Sequence, residues 1–346
     1  MFTAGKRAIA PGKPVFVVAE ISGNHNHDIG RAKAIIDAAA EAGADGVKLQ
    51  TYTADTMTLQ SDRPEFVVAW QGKQRTLYDL YAEAYTPWEW HKELFDHAKK
   101  RGLICFSTPF DATAVAFLEK LKNPIYKVAS FEVVDIPLLE AIGRTKKPVI
   151  MSRGMASVAE ITLAVQTLRT SGAKDIIILQ CTSAYPADPQ DANLLTIPDI
   201  RKRFKVLAGL SDHTLSNDIA VASVALGAVV IEKHLTLKRS DGGPDSAFSM
   251  EPAEFVELVR SVRTVEAALG APSYTSKGKG ENILYRRSLF AAADIKKGDA
   301  FTKENVRSIR PGNGLAPKFY HTVLGKHARK DIERGTPLSW KIVGRS

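Results

Sequence analysis

The stretch PVIMSRGMASVAEITLAVQTLRTSGAKDIIILQCTS (residues 148–183) sets the architecture. Pro148–Ser152 and Ile176–Cys181 are continuous apolar runs that break off in small polar residues. Between them, Val158–Ser171 repeats its apolar residues at helical spacing. A strand that is apolar on both faces needs cover on both, and a crossover helix supplies it. The same unit recurs along the chain. Further β-rich runs stand at Val15–Glu20, Gly46–Gln50, Leu103–Ser107, Ile125–Ala129, Val206–Leu210 and Val229–Glu232. Helical periodicity recurs at Gly30–Ala42, Pro87–Arg101, Ala112–Leu121 and Asp218–Leu226. Eight such units in about 270 residues predict an α/β fold, a (β/α)8 TIM barrel. A doubly wound open sheet is the alternative, but no G-x-G-x-x-G follows the first strand.

The pattern changes after Gly270. Residues 271–286 open with APSYTSKGKGE and read as a linker. Residues 287–346 hold short strands and turns, at Ser288–Ala292, Ile295–Gly298, Phe301, Val306–Arg310, Pro311–Gly314 and Leu338–Val343. The expected organisation is a barrel over 1–270, a linker over 271–286 and a small, mostly-β domain over 287–346. A unit of about 60 residues has a limited core and is expected to dock on something else.

Composition narrows the function classes. With 45% hydrophobic and 25% charged residues, the chain is globular rather than disordered. Its longest apolar stretch, Ala220–Ile231, is interrupted by Ser223 and Gly227 and is too short to span a bilayer. Met1–Pro14 lacks the apolar core of a secretory signal. Cys105 and Cys181 each sit inside an apolar run and read as reduced core thiols of a cytoplasmic protein. The net charge is +9, yet residues 271–346 alone hold 16 Lys+Arg against 6 Asp+Glu. All of the excess therefore lies in the tail, which suits attraction of an anion. Zinc-finger spacing, long basic runs and aromatic-rich RNA-binding patterns are missing, so nucleic acid is not the expected partner.

In a barrel, chemistry belongs to the C-terminal ends of the strands. There the sequence places Glu20, Lys48 with Gln50, Thr108, Lys127 with Ser130 and Glu132, Ser152, Ser183 with Tyr185, Ser211 with His213, and His234. One serine after a strand is commonly a helix cap; eight coincident polar clusters are not. His213 and His234, on neighbouring strands, would face one another and could bind a divalent ion, with Glu20 and Asp245 near it. Lys48 and Lys127 lie within apolar strands, and with Thr108, Ser130, Ser152 and Ser211 they suit a phosphate. A barrel lysine could instead form a Schiff base with a carbonyl substrate.

The motifs AEISGNHNHD (19–28), GADGVKLQTY (43–52), STPFD (107–111), YKVASFE (126–132), MSRGM (151–155), CTSAYP (181–186), GLSDHT (209–214), IEKHLT (231–236) and GPDSAFSMEP (243–252) resemble the N-acetylneuraminate synthase family. The tail RRSLFAAADIKKGD with IRPGNGL resembles that family's antifreeze-like (SAF) domain. TLYDLYAEAYTPWEW (76–90) and the DSAFS segment look like the pseudaminic acid synthases within it. Where N-acetylneuraminate synthases more usually carry a histidine after GPD, and a different strand-six sequence, this chain has Ser246 and Ser183.

The resemblance implies condensation of phosphoenolpyruvate with an open-chain acetamido sugar, releasing phosphate. It implies a divalent metal, Mn2+ or Mg2+, at His213 and His234. It assigns phosphoenolpyruvate to Lys48, Thr108, Lys127, Ser130, Ser152 and Ser211, and the sugar to Gln50, Glu132, Tyr185 and Asp245. Glu20 would position or deprotonate water. Arg310, in RPGNG, would reach from one subunit's small domain into the other's barrel, in a domain-swapped homodimer. Legionaminic and N-acetylneuraminic acid synthases share the implied mechanism.

Overall fold

A computed structural model describes residues 2–5, 7–70, 72–274 and 284–344. Two compact units divide the chain at Gly270, and each has its own core. The expected linker falls mostly on residues 275–283, outside the described residues.

The first unit opens with an antiparallel hairpin, β1 (Phe2–Ala4) and β2 (Arg7–Ile9). Eight parallel strands follow: β3 (Phe16–Glu20), β4 (Gly46–Thr51), β7 (Ile104–Pro109), β8 (Tyr126–Val128), β9 (Val149–Ser152), β10 (Ile176–Cys181), β11 (Leu207–Asp212) and β12 (Val230–His234). They close into a barrel in that order, with β12 pairing back onto β3. Around it run α1 (Ile29–Glu41), α4 (His91–Lys100), α5 (Ala112–Lys120), α6 (Ile136–Arg144), α7 (Val158–Ser171), α8 (Thr196–Phe204), α9 (Asp218–Ala225) and α10 (Pro252–Leu269). Between β4 and α4 the chain makes an excursion the apolar pattern does not announce. It holds α2 (Ala54–Met57), a hairpin of β5 (Val67–Trp70) and β6 (Lys73–Thr76), and α3 (Leu77–Ala84).

Strand parity decides what each residue does. Side chains alternate across a strand, so one set packs under the helices and the other fills the barrel. Val17, Ala19, Val47 and Leu49 belong to the outer core with the helices. Phe16, Val18, Phe106, Ile125, Ile150, Ile177, Leu179 and Val230 form a separate interior core, closed from below by Phe2 and Ile9 of the first hairpin. Continuing the interior parity upward reaches Glu20, Lys48, Thr108, Lys127, Ser152, Cys181, Ser211 and Glu232. Register then sets their neighbours: Glu20 pairs with Lys48 on one side and His234 on the other. Ser211 lies between Cys181 and Glu232 in the same way.

An interior glycine makes room where strands crowd. A Cβ on Gly209 would lie 2.5 Å from the Val230 carbonyl and 2.7 Å from Leu179 Cδ2. The helix caps are residues other than the strand-end serines. Asp28 caps α1, Asp111 caps α5 and Ser157 closes a capping box on α7.

The second unit pairs β13 (Ser288–Ala291) with β14 (Val306–Ile309), antiparallel. The expected runs at Ile295–Gly298 and Leu338–Val343 form single bridges, Ile295 to Ile332 and Val343 to Ala328, rather than strands. Leu289, Ile295, Phe301, Val306, Ile332 and Leu338 make its core.

Gly209→Ala should destabilise the barrel by about 1–3 kcal/mol, because overpacking forces backbone shifts in a filled interior. Urea unfolding followed by far-UV circular dichroism measures it. An unchanged midpoint would mean that β11 and β12 are not this close.

Candidate active site

The upper interior layer of the barrel is charged. Glu20, Lys48, Lys127 and Glu232 are each at most 5% exposed. Lys48 Nζ pairs with Glu20, donates to Thr108 Oγ1 at 3.2 Å, and lies 3.9 Å from Glu232. Lys127 Nζ lies 3.7 Å from Glu232 and donates to Ser152 Oγ at 2.7 Å and the Val128 carbonyl at 3.0 Å. Ser211 Oγ donates to Glu232 at 3.2 Å. Thus five of the six residues expected to hold an anion converge, and Glu20 and Glu232 stand in as their anionic partners. Ser130 closes the set from the next strand end, 3.5 Å from Cys181 Sγ. Gly154 lets the loop approach it: a Cβ there would fall 2.3 Å from that of Ser130.

The two carboxylates differ. Burial pushes Glu20 up, more than Lys48 offsets. Burial also acts on Glu232, but Lys127, Lys48 and His213 outweigh it and hold this carboxyl below its ordinary value. Burial acts against both lysines. Glu20 and Glu232 reverse it at Lys48, whose pKa is raised, whereas Lys127 stays lowered. Carboxyl groups separated in this way can share acid and base roles.

The expected histidine pair forms. The rings of His213 and His234 lie 5.4 Å apart, centroid to centroid. His213 Nδ1 donates to the Thr182 carbonyl at 2.9 Å; burial acts against charge on this ring, but Cys181 outweighs it and raises the pKa. His234 Nδ1 is buried without a hydrogen-bond partner. Burial, with His213 and Lys48, lowers the His234 pKa well below its ordinary value and keeps the ring neutral. Two facing imidazoles, one of them with an orphaned nitrogen, fit a divalent transition ion better than Mg2+, which prefers oxygen. Among the described residues no group of three or more His, Cys, Asp or Glu side chains gathers around an ion position.

The sequence reading takes Cys181 as a reduced core thiol. It is buried and free, but strand parity turns it into the site, 4.0 Å from His213 Nδ1 and 3.9 Å from Ser183 Oγ. Burial raises its pKa; His213, Ser130 and Lys127 outweigh that and bring it to about 7. Glu232, central to the charge network, is the other residue not singled out for a role. Both were reachable by counting alternate positions down from Leu179 and Val230.

Above this layer lies a cavity of about 340 Å³ bordered by Ser22, Gln50, Glu132, Tyr185, His234 and Asp245. Four of these are the residues expected to meet a sugar. Gln50 Nε2 donates to Glu20 Oε1 at 3.2 Å and Ser22 Oγ at 3.1 Å, and Ser22 bonds Asp245. Burial raises the pKa of Asp245 and pushes Glu132 up to about 7. Arg310 belongs to the second unit, exposed just after β14, and is not among the residues the barrel gathers. Other polar strand-end residues face outward. Lys233 bonds Asp212 at 2.6 Å, His25 meets Thr86 at 3.2 Å, and Asn24 donates to the Leu235 carbonyl at 3.0 Å. A larger groove of about 810 Å³, lined by Arg169, Lys174 and Arg201, involves none of the strand-end residues.

A barrel with this charged mouth, followed by a small β unit, defines a class. Residues 35–274 match the NeuB family model and residues 286–343 the SAF domain model. The chain belongs to the NeuB family. It is 44% identical to a pseudaminic acid synthase of Helicobacter pylori, over 96% of this chain and 99% of that one. It is 37% identical to an N,N'-diacetyllegionaminic acid synthase of Campylobacter jejuni, over 93% and 98%. A crystal structure of N-acetylneuraminic acid (sialic acid) synthetase from Leptospira borgpetersenii serovar Hardjo-bovis, in complex with citrate, superposes with TM-score 0.73. It shares 31% identity, over 81% of this chain and 94% of that one.

The Glu132 carboxyl keeps its proton to about pH 7 when folded, above the ordinary 4.5. Its charged form therefore costs stability. The cost is absent below pH 4.5 and is fully present once pH has risen through the folded value. Glu132→Gln should stabilise the barrel at pH 8 by roughly 1–3 kcal/mol and leave it unchanged at pH 4.5. Urea unfolding at both values measures this. Equal effects at both would place Glu132 in solvent.

Proposed function

We propose that the protein is a cytoplasmic pseudaminic acid synthase. It condenses phosphoenolpyruvate with 2,4-diacetamido-2,4,6-trideoxy-L-altrose and water, giving pseudaminic acid and phosphate. The observation that carries this reading is the buried layer itself: two lysines and four hydroxyl groups suited to a phosphorylated anion, set beneath a cavity of sugar size and beside two facing imidazoles. The similarity to a pseudaminic acid synthase along nearly the whole chain selects the sugar. The buried free thiols suit a reducing compartment.

Phosphoenolpyruvate takes the place of the internal carboxylates as partner of Lys48 and Lys127, with Thr108, Ser130, Ser152 and Ser211 donating to its oxygens. Gln50, Glu132, Tyr185 and Asp245 orient the open-chain sugar so that its aldehyde carbon faces C3 of phosphoenolpyruvate. A divalent ion held by His213 and His234 would supply Lewis acidity for the aldehyde oxygen. Bond formation at C3 leaves positive charge at C2. Glu20, made more basic by burial, directs water to that carbon. The tetrahedral product loses phosphate by C–O cleavage, and the nine-carbon keto acid closes to the sugar ring. Arg310 from the partner of a domain-swapped homodimer completes the sugar pocket, closing it over its anionic contents with the tail's excess positive charge.

One observation favours a second reading. Burial lowers the pKa of Lys127, as a Schiff-base lysine requires. Borohydride reduction in the presence of pyruvate would trap such a lysine, and the synthase leaves nothing to trap.

Phosphate release from phosphoenolpyruvate, followed with Mn2+ and with EDTA, tests the main reading. The altrose sugar alone should support release, and only with metal. His213→Ala or His234→Ala should reduce the rate at least a hundredfold and abolish tight Mn2+ binding. Release with none of the sugars of this class would reject the synthase. Arg310→Ala should raise KM for the sugar at least tenfold and spare phosphoenolpyruvate binding. Mixing it with inactive His234→Ala should restore activity, because a swapped pair would contain one intact site. No restoration would reject the swap.

A further inference from the structure

The cavity above the charged layer has two unlike walls. One is polar and comes from the strand ends. The other comes from the excursion between β4 and α4 and is apolar: Met57, Val68, Trp70, Leu77 and Tyr81 line it, with Phe131, 56% exposed, at its edge. A hexose carries a hydroxyl on almost every carbon, so a wall whose one hydrogen-bonding tip is the Tyr81 hydroxyl, and which has none at Met57, Val68 or Leu77, is a poor match for an ordinary sugar. The wall is also held in place. Val68 and Trp70 are two apart on β5 and share one face, while Ala69 between them is exposed. The Trp70 indole Nε1, its only polar atom, donates to the Pro244 carbonyl at 3.2 Å, which leaves the ring as apolar surface. The ring lies 6.4 Å from that of Tyr185, on the opposite side of the cavity mouth. Arg75 and Glu83 tie the hairpin to α3 at 2.5 Å, and Tyr78 donates to Asp55 at 3.1 Å, tying α3 to α2.

We infer that this wall, through Val68 and Trp70, is the specificity element for the sugar, reading the methyl groups of a deoxy, diacylated substrate and refusing a fully hydroxylated one. The inference rests on the reading of the cavity as the sugar site of the synthase. Its chemistry is direct. A methyl on a deoxy carbon, or on an acetamido group, sheds water against the indole and valine, and burying each methyl improves affinity roughly threefold to fourfold. A hydroxyl placed there loses its water and finds no acceptor, at a cost of roughly tenfold to a hundredfold. Together the two effects separate a 2,4-diacetamido-2,4,6-trideoxyhexose from N-acetylmannosamine without any contact at the reacting aldehyde. The polar wall then needs to read only the features the two sugars share.

The test uses the full-length enzyme with Mn2+, comparing kcat/KM for 2,4-diacetamido-2,4,6-trideoxy-L-altrose and N-acetylmannosamine. Trp70→Ala should lower the ratio between the sugars at least tenfold, chiefly through KM of the deoxy sugar. Val68→Thr keeps the shape of the side chain and adds a hydroxyl, and should shift the ratio severalfold toward N-acetylmannosamine. Phosphoenolpyruvate affinity by calorimetry should stay within twofold of wild type, showing that the barrel is intact. Equal effects on both sugars would make the wall a structural element only and overturn the inference, as would no effect in either variant. If no sugar releases phosphate, the synthase reading fails by itself. Calorimetric binding of the same two sugars to wild type and both variants then decides the wall separately, by the same change in ratio. If the D-manno isomer of the diacetamido sugar is the better substrate, the product changes and the wall's role stands.

Discussion

Four charges buried inside the barrel constrain everything built around them. Glu20, Lys48, Glu232 and Lys127 lie at the top of the apolar interior, and none could hold its charge there alone. They persist because each is paired, and each pair depends on register: one residue of slip on any strand would turn its charged side chain into the outer core. A hydrophobic layer would fill the same space at lower cost. An arrangement that spends stability on separated charges suits a site that must receive a charged ligand.

The ligand-free pairing also shapes binding. The lysines are already positioned and desolvated, so an entering phosphorylated acid exchanges one set of anionic partners for another rather than drawing lysines out of water. On the proposed reading, Glu20 would be released from Lys48 in the same event that brings substrate in. A carboxyl already raised by burial becomes more basic when its cationic partner turns to the phosphate. The proposal thus makes binding and the arming of the water-directing group one rearrangement.

Much of this was legible in the sequence. The barrel announces itself because parallel strands buried on both faces must be continuous apolar runs, and each run here stops in polar residues. Interior parity then separates participants from bystanders: Glu20, Lys48, Lys127 and Ser211 face in, while Asp212 and Lys233, equally polar and equally near the strand ends, face out and pair with each other. Cys181 reads as a core thiol because IIIL (176–179) before it is apolar on both parities, and only its neighbours across the barrel reveal where it faces. The excursion carrying β5, β6 and α3 left no such signal. Its apolar residues cover a cavity rather than a core, so its pattern does not repeat. In the second unit, single bridges replace the expected strands, since stretches such as Ile295–Gly298 turn before a ladder can form. Arg310 is legible only as one exposed basic residue among many.

The central claim is that this buried layer directs water to carbon. Phosphoenolpyruvate labelled with 18O in the bridge between C2 and phosphorus tests it most directly. With the altrose sugar and Mn2+, the account requires all of the bridge label to leave in inorganic phosphate. Oxygen from labelled water should appear at C2 of the sugar acid. Bridge label retained in the organic product, with solvent oxygen in the phosphate, would mean attack at phosphorus and would contradict the assigned role of Glu20 and the lysines.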